Sequence, residues 1–194
     1  MVPNGDFRKT RLENGMRVVT EHVPHVRSVS LGIWVRVGSR DERTDEHGIS
    51  HFLEHMVFKG THKRDAFEIV YSLESLGGSI DAFSYRDSTC FYARCLDEHC
   101  DEALDVLGDI LQNAQLDPKE IEKEKRVVLE EIQSVEDTPE DLVHDLFAKS
   151  VWGRHPVGEP ILGTRESVSA FTPELLCDFD GADIAGFGDY VLQG

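Results

Sequence analysis

The sequence predicts an α+β fold, in which helices pack on one face of a mostly antiparallel sheet. Three observations support this fold class. The predicted strands are concentrated before Leu96 and the long helices follow it, an Asn14-Gly15 hairpin signal joins the first two strands, and apolar residues alternate along the third. Hydrophobic residues make up 40% and charged residues 29% of the 194 residues, which is typical of one globular domain with a sizeable core.

The first elements follow from turn signals and periodicity. Asn14-Gly15 favours a two-residue turn between strands at 7–12 and 16–23. In the third strand, 28–37, every second residue is an aliphatic Val, Leu or Ile, which indicates one buried face, and Ser30, Gly32, Trp34 and Arg36 form the other face. Residues 48–58 follow a charged loop and are predicted to form a helix with almost no solvent-facing side.

Capping signals mark the later elements. Asp65 and Glu68 form a capping box, and Gly77-Gly78 ends the helix that they begin. Proline at the first helical position announces two of the helices that follow a pair of strands. These elements are predicted as strands at 79–85 and 88–96, helices at 98–115, 118–135 and 139–151, and a short helix that begins at Thr172-Pro173.

The charge of the chain limits the classes of partner. Asp and Glu number 37 against 20 Lys and Arg, so the formal net charge is −17. This charge disfavours nucleic acids, whose phosphates require basic patches, and attracts cationic peptides. The longest uncharged stretch, 28–35, is much shorter than the roughly 20 apolar residues of a membrane span, and no secretory signal is visible. A cytoplasmic protein with no membrane partner is therefore expected.

The four cysteines carry little information about function. They include no CxxC pair, which is the usual spacing in thiolate zinc sites. Free thiols in a reducing compartment are the preferred interpretation, and a disulfide or a thiolate metal site is the alternative.

His51, Glu54 and His55 are the most informative residues. At spacings of three and four they project from one face of the predicted helix at 48–58. Two neutral imidazoles one turn apart can bind one tetrahedral metal, and Glu54 lies beside it, where it can take a proton from a bound water. The alternative is an ordinary amphipathic helix whose histidines and glutamate face water.

A second helix offers the remaining ligand. Glu124 and Glu131 lie two turns apart in the apolar stripe of 118–135, which should face the core. A catalytic zinc site uses three protein ligands and an open position for water, so the two histidines and one of these glutamates meet the requirement. The other glutamate suits a hydrogen bond with the free N–H of a ligand imidazole. Salt bridges between helices are the alternative interpretation of both carboxylates.

The segment His51-Phe-Leu-Glu-His55, followed by Met-Val-Phe-Lys-Gly-Thr, resembles the zinc-binding segment of the pitrilysin (inverzincin) family of metallopeptidases. This family includes the β subunit of the mitochondrial processing peptidase and related bacterial processing proteases. Glu131 lies 76 residues after His55, the spacing at which the family carries its third ligand, and Glu124 matches a supporting acidic residue. Glu130 is a rival ligand, but it points about 100° away from Glu124 on the helix.

The resemblance implies a zinc endopeptidase with one Zn²⁺ per chain, or another divalent metal in its place. It assigns His51, His55 and Glu131 as ligands, Glu54 as general base and Glu124 as the support of a ligand. Residues 77–83 resemble the family's edge strand that pairs with extended peptide substrate. The resemblance therefore implies substrate contacts at Asp81, Ala82 and Phe83, with Asp81 standing where many relatives carry Asn.

The resemblance covers about residues 7–179 and implies a catalytic N-terminal domain at 1–179 that is truncated at its C-terminal end. Residues 180–194 hold four Gly and three Asp without clear periodicity. They are expected to form an atypical tail where the family has its next strand. A homologous second domain or subunit is expected to complete the active enzyme. The alternative function is a truncated or non-catalytic metal-binding subunit.

Overall fold

The structure is a computed structural model that describes residues 6–179 and, as backbone, 188–193. Its strands are β1 Asp6–Arg11, β2 Arg17–His22, β3 Ser28–Val35, β4 Ser79–Ser84, β5 Thr89–Leu96 and β6 Gly188–Gln193. Its helices are α1 Ile49–Met56, α2 Ala66–Glu74, α3 Cys100–Gln112, α4 Pro118–Asp137, α5 Pro139–Trp152, α6 Arg165–Ala170 and α7 Pro173–Phe179. The predicted elements before residue 153 are all present, with ends that differ by about three residues at most.

The strands form one sheet in the order β1-β2-β6-β3-β5-β4. Every neighbouring pair is antiparallel except β2 and β6. The predicted hairpin joins β1 to β2, and Gly15 takes the positive φ of 91° that the turn requires. The predicted fold class, a mostly antiparallel sheet with packed helices, is therefore confirmed.

Strand β6 corrects one expectation from the sequence. No strand was expected in 180–194, yet the backbone of Gly188–Gln193 lies between β2 and β3 and pairs with both. The β-prone run Tyr190-Val191-Leu192 is only three residues long and follows a glycine-rich segment, so periodicity does not reveal it. Pairing on both sides compensates for the weak local signal. The domain boundary at 179 stays a prediction.

The hydrophobic core lies between the sheet and the helices. Leu31, Ile33 and Val35 of β3 alternate inward and are at most 3% exposed, as the period of two predicts. They join one buried cluster with residues of the other strands and of the helices, including Phe91 and Ala93 of β5, Phe52 and Met56 of α1, Leu107 and Ile110 of α3, and Val128 of α4. The apolar side chains of α1 are therefore fixed by packing, which orients the polar side chains that the helix carries.

Cys90, Cys95, Cys100 and Cys177 are free, as preferred above. Within the part of the chain that the structure describes, no helix has both the length and the apolarity needed to cross a membrane.

Candidate metal centre

The N-terminal end of α1 is held by a buried carboxylate from the preceding loop. Glu42 is 3% exposed and accepts hydrogen bonds from the backbone N–H of Gly48, at 2.8 Å, and of Ser50, at 3.0 Å. These two donors belong to the first turn, where a helix has no intrahelical acceptors for its N–H groups. Burial raises the pKa of Glu42, although both backbone hydrogen bonds oppose this effect. The loop thus fixes the first turn of α1, which carries His51.

A glycine contact also determines where α1 begins. Gly163 has a φ of +77°, and a Cβ atom at this position would lie 2.2 Å from the carbonyl oxygen of His47. The chain after α5 therefore packs directly on the residue before Gly48. Only glycine allows both this approach and this backbone conformation.

His51 and His55 present their rings side by side from α1, with ring centroids 4.5 Å apart. Burial lowers the pKa of His51 to about 4, and the neighbouring His55 adds to the effect. The His51 imidazole is therefore neutral at pH 7 and keeps a nitrogen lone pair available to a ligand. Both side chains are less than 20% exposed, so this cluster lies in a shielded site.

Glu131 of α4 completes a cluster of three possible ligands. Its Oε2 atom lies 3.7 Å from Nε2 of His51 and 3.8 Å from Nε2 of His55. Ligand atoms bound tetrahedrally at about 2.0–2.1 Å lie roughly 3.3–3.4 Å apart, so the observed spacing is close to that of a zinc site. Among residues 6–179, these three are the one group of histidine, cysteine and carboxylate side chains with such spacing. Glu130 is exposed and is not part of the cluster.

Glu124 lies behind His55, on the side away from Glu131. Its Oε1 atom is 2.7 Å from Nδ1 of His55, and its Oε2 atom is 2.7 Å from Nζ of Lys59. Burial alone raises the pKa of Glu124, but hydrogen bonds from His55 and Lys59 outweigh it and lower the pKa. Because an ionised carboxylate only accepts, His55 carries a proton on Nδ1, and in the neutral form of His55 the Nε2 lone pair faces Glu131.

Burial and acidic neighbours act in opposite directions on His55. Desolvation lowers its pKa, whereas the hydrogen bond with Glu124 and the charges of Glu131 and Glu54 raise it, and the net shift is upward. His51 and His55 therefore differ in their basicity although they lie one turn apart. The difference arises because Glu124 forms a hydrogen bond with His55 and not with His51, and because the charges of Glu131 and Glu54 also raise the pKa of His55.

Glu54 lies on the same face of α1 as the two histidines. Its Oε2 atom is buried and has no hydrogen-bond partner in the described chain. Burial raises the pKa of Glu54, and a hydrogen bond with Ser84 of β4 partly offsets this effect. Both features suit a group that exchanges a proton, because burial favours the protonated form of Glu54 over the ionised form more than water does.

The three residues that were predicted to bind substrate lie on β4, which pairs only with β5 at one end of the described sheet. They do not share one face. Ala82 packs against the core on the helix side, whereas the Phe83 ring lies 5.5 Å from that of Trp34 and Asp81 accepts a hydrogen bond from the hydroxyl of Tyr92. The side chain of Ala82, but not those of its two neighbours, therefore faces α1.

Sequence reasoning did not single out Lys59 or Ser84. Lysine four residues after a helical histidine is ordinarily solvated, and a serine in a strand has no signature of its own. The segment Phe58-Lys59 does follow the HxxEH motif directly, so its closeness to the motif was the available signal. Lys59 contacts Glu124, and Ser84 contacts Glu54. Both contacts depend on how α1 packs against α4 and β4.

The chain matches a known family of peptidases. The profile of the insulinase family, peptidase family M16, matches residues 17–165. The chain is 49% identical over 170 residues to the uncharacterized zinc protease YmxG of Bacillus subtilis, and the match covers 88% of this chain and 42% of that protein.

Two solved structures have the same fold. A protease from Helicobacter pylori superposes with a TM-score of 0.91 at 22% identity, over 97% of this chain and 46% of that one. Pitrilysin superposes with a TM-score of 0.85 at 26% identity, over 98% of this chain and 21% of that one. The chain thus spans less than half the length of each of these relatives. The extent of the profile match and the identity to YmxG together show that the chain belongs to the insulinase family of peptidases, family M16.

Proposed function

We propose that this chain carries the zinc site of a metalloendopeptidase that hydrolyses extended peptides. The observation that carries the proposal is the position of Glu131 Oε2, 3.7 Å and 3.8 Å from two imidazole nitrogens and without a hydrogen-bond donor in the described chain. A buried carboxylate oxygen without a partner is costly, and a divalent cation bound between the three groups removes that cost. The name of the Bacillus relative, a zinc protease, supports the same metal.

His51, His55 and Glu131 would hold one Zn²⁺ per chain, and their donor set also accepts other divalent metals. When bound, the metal lowers the pKa of a coordinated water towards about 7 and polarises the carbonyl of the substrate. Glu124 keeps His55 in the tautomer whose Nε2 lone pair is available, as described above.

Glu54 is the proposed general base. Its Oε2 atom, which has no hydrogen-bond partner among the residues that the structure describes, would accept a proton from the attacking water, whose oxygen bonds to the carbonyl carbon of the substrate. Glu54 then donates that proton to the nitrogen of the leaving amine as the peptide bond breaks. The raised pKa of Glu54, caused mainly by burial, favours its transient protonated state.

An extended peptide is proposed to add to β4 through backbone hydrogen bonds, because β4 pairs on one side only within the described sheet. Within the segment Asp81, Ala82 and Phe83, the backbone N–H and C=O groups that point away from β5 would supply this contact. The formal charge of −17 favours cationic substrates.

A second candidate function follows from the length of the match. Because the chain spans 42% of the Bacillus relative, it could act as a metal-binding part that requires a homologous second domain or subunit for activity. Such a partner would close the site against water and strengthen its electrostatics.

The test is to measure zinc content by mass spectrometry and hydrolysis of a fluorogenic peptide, for this chain alone and mixed with the full-length Bacillus relative. We expect one zinc per chain in both samples. Hydrolysis by the chain alone supports the peptidase, and hydrolysis that rises above that of the relative only in the mixture supports the dependent subunit. Absence of bound zinc would overturn both functions.

A further inference from the structure

Lys59 lies three residues beyond the end of α1 and forms an ion pair in which its partner is buried. Its Nζ atom is 2.7 Å from Oε2 of Glu124, whose side chain is 5% exposed, while the Lys59 side chain is 29% exposed. The other oxygen of Glu124 is 2.7 Å from Nδ1 of His55. Each carboxylate oxygen therefore has one donor, and the order of contacts is Lys59, Glu124, His55.

We propose that Lys59 is a positioning residue of the metal centre, which holds Glu124 in the orientation that accepts the hydrogen bond from His55 Nδ1. The inference rests on the proposed zinc site at His51, His55 and Glu131. Lys59 itself is not a ligand and does not touch the substrate in this proposal; it acts through Glu124. The sequence motif alone assigns it no role.

The physical reason is the burial of Glu124. Without Lys59, Oε2 would be a charged oxygen shielded from water and without a donor, which is costly. The carboxylate would then rotate or move towards solvent. Each of these changes removes or weakens the acceptor for His55 Nδ1, and with it the preference for the tautomer that presents Nε2.

Repulsion between the Lys59 ammonium and the metal would change the zinc affinity in the opposite direction from the positioning of Glu124, so the two effects can be distinguished. A neutral residue at position 59 removes a positive charge near the metal and leaves the negative charge of Glu124 uncompensated. If repulsion between Lys59 and the metal were the main effect, the neutral variant would bind zinc more tightly. If positioning of Glu124 is the main effect, it binds zinc more weakly.

Lys63 offers a matched control in the same segment. Its Nζ atom lies 2.7 Å from Oδ2 of Asp105, the same separation as in the Lys59 pair, but both side chains are more than half exposed. Lys63→Met therefore changes the net charge of the protein by the same amount as Lys59→Met. It leaves Glu124 and His55 unaltered.

The experiment measures the zinc Kd of the whole chain by competition with a chromophoric chelator at pH 7.5. We expect Lys59→Met to weaken binding about tenfold, in the range for residues that support a ligand, whereas Lys63→Met stays within twofold of the wild type. Lys59→Arg restores the charge and the donor and should recover most of the affinity. Lys59→Leu is the second neutral variant should Lys59→Met fail to fold.

A Glu124→Gln background shows whether Lys59 acts through Glu124. In that background we expect Lys59→Met to change the zinc Kd less than twofold. Unchanged or tighter binding by Lys59→Met, or an equal loss in both backgrounds, would overturn the role of Lys59 while leaving the metal site intact. Failure of the wild-type chain to bind zinc would overturn the metal site, and the role of Lys59 with it.

Discussion

Oε2 of Glu131 lies 3.7 Å from Nε2 of His51, although 80 residues separate them in the chain. This contact is not a salt bridge at neutral pH, because burial and the neighbouring His55 lower the pKa of His51 to about 4. The contact between a neutral imidazole and a carboxylate oxygen that has no donor in the described chain contributes little stabilising free energy. A divalent cation bound by both would account for their proximity.

Glu131→Ala is expected to abolish most zinc binding, whereas Glu130→Ala is not. Glu131 offers the third ligand atom, and loss of one of three protein ligands leaves a site too weak to retain the metal on gel filtration. Glu130 is exposed on the same helix and has the same charge and volume, so it is the matched control. Zinc content of both purified variants decides the assignment. Equal losses in the two variants would contradict it.

Glu54→Gln is expected to retain zinc but to lose about 10²–10⁴-fold in peptide hydrolysis. The amide has nearly the shape of the carboxylate but cannot accept the proton of the attacking water. Zinc content and hydrolysis of a fluorogenic peptide are measured on the same preparation, in the chain or the mixture that shows activity. Glu74→Gln, an exposed glutamate on α2, is the control. Full activity in Glu54→Gln would exclude Glu54 as the base.

The local part of the site was predictable from the sequence, and the reason is helical geometry. His51, Glu54 and His55 share a face because spacings of three and four bring side chains together on any helix. Asp65 and Glu68 form the predicted capping box for a similar reason, since both partners are within one turn. Such features depend on backbone geometry that is the same in every protein.

Other features depend on contacts between distant segments. The pairing of Lys59 with Glu124 requires α1 and α4 to meet at a particular angle, and no periodicity encodes that angle. Strand β6 is stabilised by β2 and β3 rather than by its own composition. Helix α6 was missed although Thr164 and Ser167 form a capping box, because six residues after a Gly/Pro-rich segment give too short a pattern.

Gly163→Ala is expected to destabilise the protein by at least about 3 kcal/mol. A methyl group there would lie 2.2 Å from the carbonyl oxygen of His47, so the loop before α1 would have to move. Gly77 is a close control, since its φ of +76° nearly equals the +77° of Gly163 but a Cβ atom would meet nothing within 4 Å. We expect Gly77→Ala to cost only about 1–2 kcal/mol for the left-handed conformation.

Urea unfolding of the metal-free proteins measures both free energies. The difference between the two variants isolates the contact with His47 from the cost of the backbone conformation. Similar destabilisation by Gly163→Ala and Gly77→Ala would show that the loop moves easily and that the contact does not fix α1.

The stability contributed by Asp109 is expected to depend on pH. This carboxylate on α3 is 7% exposed, and its Oδ2 accepts hydrogen bonds from Arg64, at 2.6 Å, and from the hydroxyl of Thr61, at 2.9 Å. It therefore fixes the segment that follows α1 and Lys59. Burial alone raises the pKa of Asp109, but hydrogen bonds from Arg64, Thr61 and Asn113 outweigh it and lower the pKa below the ordinary 3.8.

A carboxyl group whose pKa is lower in the folded state stabilises the fold above its unfolded pKa, and this contribution is lost as the pH falls through the folded pKa. We therefore expect Asp109→Asn to cost about 2–4 kcal/mol at pH 7, where it leaves Arg64 with a weaker partner, and clearly less at pH 3. Asp105→Asn is the control. Asp105 also contacts Arg64, but its side chain is 54% exposed, so its loss should cost less than about 1 kcal/mol. Urea unfolding in the presence of a chelator at both pH values gives these differences. A loss for Asp109→Asn that is the same at pH 7 and pH 3 would mean that the ionised form of Asp109 does not hold this segment.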